Sequence, residues 1–364
     1  MSIKLTSVTL VDFYRCHPHY TAYQLHKKMA CQIRRPLLRF QILALSGGGV
    51  RGLYTISILA QLEQALAETH NDSSYNITQH FDLIAGTSIG GILALGLASG
   101  INARRLYEIL DYNRKQIFPK KSAKTLRQAF GSLYSSDPLK SVLEECFDNK
   151  RIEDLNTRVT IPAVNGTSGS PKVYKTPHHK KFRIDKNLTL VDVALSTSAA
   201  PTFFSPHLMN DSFNVDGGLV ANGPALIAYH EATHFLEVPK ENIHLMGVGT
   251  MGSKRVLNSE RGWFRGWGYL TGWGVGRKLI EMTLSANEEM QNKMVEHLLG
   301  DQCAFIDEEL TPDQSKSITL DNASDSAAQM LRGRGKERGQ KAIGQANIMD
   351  FFNHNAQQQF FTQE

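Results

Sequence analysis

Leu45-Ser46-Gly47-Gly48-Gly49-Val50-Arg51-Gly52 is the stretch on which the reading of this chain turns. A short apolar run, Ile42-Leu43-Ala44-Leu45, feeds three consecutive glycines, and a helix-like segment follows from Leu53 to Leu66. Glycine has a large entropic cost in ordered chain, so three in a row need a reason. The usual reason is a turn that points bare backbone N–H groups at negative charge at the start of a helix. Such a loop holds a phosphate or the oxyanion of a reacting ester. The loop alone does not choose between them.

Leu53, Ile56, Leu59, Leu62 and Leu66 recur at helical spacing beyond the glycines. A second apolar run, Phe81-Asp82-Leu83-Ile84-Ala85, enters Gly86-Thr87-Ser88-Ile89-Gly90-Gly91 and another apolar helix over 92–99. Strand, glycine turn and helix twice in succession predict an α/β domain with a mostly parallel sheet. Further helices are expected over 103–115, 137–147 (Asp137 as N-cap, Pro138 in the first turn), 192–197, 225–236 and 277–299. Further strands are expected over 158–164, 173–175, 181–184, 243–249 and 303–306. Residues 1–36 read as a separate N-terminal extension, either packed on the domain or a regulatory arm. The composition after Ser324 turns polar and Gly/Arg-rich, so a C-terminal helix and a tail mobile from Asn353 are expected over 336–364.

Composition narrows the class. The 364 residues allow one large domain or two small ones, and 41% hydrophobic with 21% charged residues excludes a wholly disordered chain. A net charge of +5 suits an anionic membrane surface or a nucleotide and is too weak to imply a nucleic acid partner. The four cysteines, Cys16, Cys31, Cys146 and Cys303, form no CxxC pair, which argues against a zinc site or disulfide framework and fits a reducing cytoplasm. The longest apolar stretch, 92–101, is interrupted by Gly96, Ser99 and Gly100 and is too short to span a bilayer, so any membrane contact is expected to be peripheral.

Gly86-Thr87-Ser88-Ile89-Gly90 matches G-x-S-x-G, in which a serine sits on a sharp strand-to-helix turn and small neighbours permit close packing. A serine hydroxyl needs a neighbouring base. The histidines after Ser88 are poorly placed: His230, His234 and His297 fall on expected helices, and His178 and His179 lie in a basic run that reads as solvated. Asp216-Gly217-Gly218 ends a strand-like stretch, and a carboxylate serves as base if burial raises its pKa towards neutrality. Taken alone, that triplet is equally a simple turn. Gly47, Gly49 and Gly52 also match the dinucleotide fingerprint G-x-G-x-x-G, which keeps a non-catalytic nucleotide-binding module as the alternative. The ribose-binding acid expected after the next strand is not evident, and Leu53 stands where a Walker loop needs lysine.

Together these segments resemble the patatin-like phospholipases. Gly47-Gly48-Gly49-Val50-Arg51-Gly52 is similar to that family's G-G-G-x-R/K-G loop, Gly86 to Gly90 to its nucleophile elbow, and Asp216-Gly217 to its D-G motif. Ser196-Thr197-Ser198-Ala199-Ala200-Pro201 resembles its small-residue block ending in proline. The resemblance implies a three-layer α/β/α fold over 37–335 and hydrolysis of phospholipid acyl esters through a Ser–Asp dyad, with neither metal nor cofactor. It implies Ser88 as nucleophile, Asp216 as base and an oxyanion site from Gly47, Gly48, Gly49 and Arg51, supported by Gly52, Gly86, Gly90, Gly217 and Gly218. Within the family, bacterial anti-phage effectors switched on by a cyclic dinucleotide are a compatible subgroup. The implied partners are a phospholipid membrane surface and that activator, with a homo-oligomer left open.

Three further segments carry alternatives. Trp263, Trp267 and Trp273 among glycines and arginines read as lid packing or as an interfacial patch. Lys172, Lys175, Lys180, Lys181 and Arg183 read as a solvated basic face, with anionic lipid as the sharper reading. Gln345 to Phe352 resembles a sliding-clamp-binding pattern, but an amphipathic segment docking on its own domain explains it better.

Overall fold

The computed structural model describes residues 39–120, 131–252, 277–311, 313–357 and 359–361. The leader over 1–36, the three tryptophans and Lys121, Lys124 and Arg127 lie outside the described residues. Eight strands form one sheet: β1 (Phe40–Leu45), β2 (Leu83–Gly86), β3 (Arg158–Asn165), β4 (Ser170–Lys175), β5 (His207–Met209), β6 (Ser212–Asp216), β7 (Ile243–Val248) and β8 (Cys303–Ile306). The order is β5-β6-β3-β2-β1-β7-β8, with β4 on β3. The β3–β2–β1–β7–β8 run is parallel, and β4, β5 and β6 pair antiparallel.

β1 is buried on both faces, and its alternation assigns residues to two layers. Leu43 and Leu45 belong to a core shared with α1 (Gly52–His70) and α2 (Ile89–Ala98). Ile42 and Ala44 belong to a second core with Ala225 and Ala228 of α6 (Ala225–His230) and Val295 and Leu299 of α7 (Arg277–Leu299). A parallel strand covered on both faces reads as a continuous apolar run, as Ile42 to Leu45 does. The result is the expected α/β/α sandwich. Leu53, Ile56, Leu59, Leu62 and Leu66 are all buried on α1. The other long helices among the described residues are α3 (Ala103–Ile117), α4 (Asp137–Phe147), α5 (Leu190–Ser198) and α8 (Asp325–Ile343). Asn102 caps α3 through the Arg105 N–H and Thr189 caps α5 through the Asp192 N–H, which satisfies orphan donors at those ends. Asp137 proves to be the first residue of α4, with Ser136 at the N-cap position. The helix expected over 225–236 is α-helical to His230 and continues as a π-helical turn, Glu231–Phe235.

One pairing positions the site. β3 uses Arg158 to Thr160 to pair β2 and Ala163 to Asn165 to pair β6, while β4 takes the opposite edge from Thr160 onward. β2 and β6 therefore occupy successive stretches of the same β3 edge and meet end to end. β2 leaves the sheet at Gly86, and β6, arriving from the other direction, finishes there at Asp216.

Several segments depart from their expected form. Residues 181–184 form turns rather than a strand. The Gly/Arg-rich stretch is the single helix α8, so the expected division between 335 and 336 falls inside it. Gly335 and Gly339 let α8 press onto α1, where added Cβ atoms would lie 2.6 Å from Ser57 Cβ and 2.8 Å from Gln61 Cβ. The tail docks on the start of the sheet: Ile348, Phe351 and Phe352 are buried, and Phe352 sets its ring edge-on to His80 and Phe81. Gln41 Nε2 donates to the Phe351 carbonyl at 2.7 Å. Beyond Asn353, where mobility is expected, His354 pairs with Asp82 at 2.9 Å and the N–H groups of Ala356 and Gln359 bond to Gln79 and Asn156. The basic run is not uniformly solvated. The His178 side chain is 1% exposed and bonds Glu231 at 3.0 Å, and Lys175 reaches the same carboxylate at 2.6 Å.

Candidate active site

Ser88 stands between the end of β2 and the first turn of α2 with φ 55° and ψ −125°. A non-glycine residue held there is strained, and such strain is tolerated where the surroundings over-determine it. Those surroundings are explicit. The Ser88 N–H donates to Thr197 Oγ1 at 3.0 Å, and that hydroxyl donates to the Pro162 carbonyl at 2.6 Å. A Cβ on Gly86 would lie 2.1 Å from the Gly90 carbonyl, and one on Gly90 would lie 2.3 Å from the Leu45 carbonyl. The elbow can therefore form only with glycine at these two positions.

The Ser88 hydroxyl donates to Asp216 Oδ2 at 2.7 Å. The other carboxylate oxygen accepts the Gly218 N–H at 2.7 Å. The N–H groups of Asp216 and Gly217 bond the carbonyls of Ala199 and Thr197, so the small-residue block ending at Pro201 is the seat of the Asp216 turn. Gly217 lies against β3, where a Cβ would be 2.1 Å from the Pro162 carbonyl. Burial raises the Asp216 pKa from 3.8 to about 6, against the hydrogen bonds from Ser88 and Gly218 that lower it. Three of the described histidines are engaged elsewhere: His178 bonds Glu231, His207 bonds Asp192 and His354 bonds Asp82.

The triple glycine loop faces the same place. Gly48 and Gly49 line one cavity with Ser88 and Asp216. Gly47 passes so close that its Cβ would stand 3.3 Å from Ser88 Cβ. Its N–H is already bonded to the Asn222 carbonyl at 2.9 Å, and the Val50 N–H to the Leu320 carbonyl at 2.9 Å. Among the described residues, the N–H groups of Gly48 and Gly49 have no such partner. Gly49 takes φ 57°, and a Cβ there would lie 2.2 Å from the Leu320 carbonyl. Of the four expected oxyanion residues, Gly48 and Gly49 keep N–H groups without such a partner, and the Gly47 N–H is engaged by the Asn222 carbonyl. Arg51 does not line the cavity, and its guanidinium lies 3.5 Å from the Gly48 carbonyl and 3.4 Å from the Met251 carbonyl, steadying the loop from behind.

From Ser88 the cavity runs between α2, α3 and α4. Ile92, Leu106, Leu143, Phe203 and Phe204 are among its walls, which are almost wholly apolar. Such a space accepts an aliphatic chain and offers polar groups only at the serine end.

A strained elbow serine bonded to a buried carboxylate, beside two open backbone donors, is the arrangement of a serine acyl hydrolase. The family model for patatin-like phospholipase matches residues 43–229, and the chain belongs to that family. A cGAMP-activated phospholipase of Escherichia coli (strain TW11681) is 41% identical over 317 residues, covering 82% of this chain and 88% of that protein. Proteins of the same name from Vibrio cholerae and Pseudomonas aeruginosa are each 39% identical, covering 82% and 88% of this chain and 89% and 94% of their own lengths.

Asn222, Thr250, Leu320 and Glu288 also shape the site and carry no motif in the sequence. Thr250 Oγ1 donates to the Gly47 carbonyl at 2.9 Å, and its side chain fills the space a Cβ on Gly48 would need.

Proposed function

We propose that this protein is a phospholipase A-type acyl hydrolase, activated by cGAMP, that degrades membrane lipid in antiviral defence. The 2.7 Å bond from Ser88 to Asp216 on the wall of an apolar cavity carries the reading. Ser88 Oγ attacks the ester carbonyl while Asp216 takes its proton, and the oxyanion forms against the Gly48 and Gly49 N–H groups. Collapse expels the lysolipid alkoxide, which takes the proton back from Asp216 and leaves acyl-Ser88. Water, deprotonated by Asp216, then releases the fatty acid and restores the serine. The activator comes from the names of the three relatives. Among the described residues no helix is long and apolar enough to cross a membrane, so contact with the bilayer is peripheral in this reading. The cross-strand pair Leu208 and Phe213, 57% and 52% exposed and on the hairpin that carries Asp216, supports such contact.

Phospholipid vesicles incubated with wild type and Ser88→Ala, with and without cGAMP, test the reading by mass spectrometry of the products. Free fatty acid and lysolipid are expected only with wild type, and more of both with cGAMP. Equal products from Ser88→Ala overturn the nucleophile, and equal rates without cGAMP overturn the activator. Tight nucleotide binding with no lipolysis and no fluorophosphonate labelling would favour the binding module instead. Co-sedimentation of Ser88→Ala with the same vesicles checks the membrane contact.

The base sets the pH dependence. Asp216 accepts a proton only when ionised, and burial holds its pKa at about 6. On a soluble ester, kcat/KM is expected to rise with pH through about 6 and then level. An acid limb near 4, the ordinary carboxylate range, would remove burial as the source of its basicity.

A further inference from the structure

The glycine loop is held from behind by a side chain that the mechanism above does not use. Asn222 follows the Asp216 turn, and its carbonyl takes the Gly47 N–H. Its Oδ1 occupies the space of a Cβ on Gly47, 2.4 Å away. Its Nδ2 donates to Glu288 Oε2 at 2.6 Å. Asn222 abuts Gly47 in space, so Glu288 holds in place the side chain that backs the loop. Glu288 stands on α7, which grips the Asp216 turn as well. Asn287 Oδ1 accepts the Asn222 N–H at 3.0 Å, and Asn287 and Gln291 both donate to the Val220 carbonyl, at 2.8 and 3.1 Å. Leu284, one turn earlier, covers Gly218, where a Cβ would lie 2.7 Å from it.

Resting on the hydrolase reading, the structure assigns Glu288 as a positioning residue: by accepting from Asn222 it fixes Gly47-Gly48-Gly49 against Ser88 so that the two open N–H groups meet the oxyanion. Three glycines have wide conformational freedom, and oxyanion donors count only when they are already in place as charge develops. Glu288 touches no reacting atom and acts through the backbone of the loop. Arg51 and Asp307 share its surroundings, and burial raises the pKa of both acids while Arg51 opposes this.

The test uses the full chain with cGAMP present in every arm, a soluble p-nitrophenyl ester as substrate and a fluorophosphonate probe for Ser88. Glu288→Ala is expected to lower kcat about 30- to 100-fold and to slow labelling in proportion, with KM within about threefold, because oxyanion contacts act in the transition state. Glu288→Gln keeps a carbonyl that accepts from Asn222 and is expected to recover kcat to within about fivefold of wild type. Asn222→Ala, which removes the donor to Glu288, is expected to lose about fivefold in kcat and serves where Glu288→Ala does not fold. Unchanged kcat in folded Glu288→Ala, a change confined to KM, or equal losses for the alanine and glutamine variants overturns the proposal. Should Glu288→Ala not fold, an unaffected Asn222→Ala overturns it. A wild type that neither cleaves the ester nor labels at Ser88 overturns the hydrolase reading and this assignment together. A labelled, active wild type beside an unaffected Glu288→Ala removes the assignment alone.

Discussion

Asp216→Asn is expected to leave the protein folded and to lower ester cleavage by about 10³- to 10⁴-fold, the loss typical of removing a base from an activated nucleophile. The amide matches the carboxylate in size, and its oxygen can still accept the Gly218 N–H. At neutral pH it cannot take the proton from Ser88 Oγ, so attack proceeds from a neutral hydroxyl. The cavity walls are untouched, so the loss falls on kcat rather than KM. Stability is expected to move the other way. An acid whose pKa rises on folding opposes folding at every pH above its unfolded value, and Asp216 rises from 3.8 to about 6. Removing that charge at pH 8 is worth on the order of 3 kcal/mol, so the variant should melt at or above the wild-type temperature. Steady-state kinetics on a soluble ester and a thermal melt at pH 8 check both halves. Wild-type activity in folded Asp216→Asn would reopen the search for the base.

Gly90→Ala is expected to damage both fold and activity, from one added methyl. Its Cβ would lie 2.3 Å from the Leu45 carbonyl and 2.6 Å from the Ser46 carbonyl. Both are backbone atoms, one closing a central strand and the other entering the glycine loop, so neither can swing aside as a side chain would. Relief requires α2 to move off β1. Ser88 begins that helix and would move with it, away from Gly48 and Gly49. Overpacking of this kind costs about 1–3 kcal/mol, and a shift of an ångström at the reacting atoms costs about 10² in rate. Chemical denaturation and fluorophosphonate labelling measure the two effects. A variant as stable and as reactive as wild type would show that the contact between elbow and loop is looser than these distances imply.

What could be read from the sequence was what short local patterns encode. β1, β2 and α1 announced themselves through apolar runs and helical spacing. The elbow, the glycine loop and the Asp216 turn did so through small residues forced by close backbone approach. The unread part consists of single groups delivered by separate segments. The Leu320 carbonyl, which receives the Val50 N–H, belongs to a loop without any pattern. Asn222 and Glu288 are ordinary polar residues until the chain places them side by side. The family resemblance counted Gly47 in the oxyanion site, and only the position of the Asn222 carbonyl shows its N–H to be engaged. His178 sits in a basic run and reads as solvated, yet Glu231, 53 positions later, buries it. The Gly/Arg-rich composition after Ser324 gave no sign of why its glycines are there: Gly335 and Gly339 are small so that two helices can touch.

The contact of α8 and the tail with α1 and the start of β1 bears on how the protein is made. By the time residue 252 has left the ribosome, Ser88, Asp216 and the glycine loop have all been synthesised. The outer face of α1 remains bare until 325–343 follows, and the backbone carbonyl that pairs with Gln41 belongs to Phe351. The helix that leads out of the glycine loop is thus completed by residues synthesised well after the reacting groups. A nascent chain carries every reacting group before it carries the packing that holds them still, and competence to cut lipid follows the synthesis of 325–352.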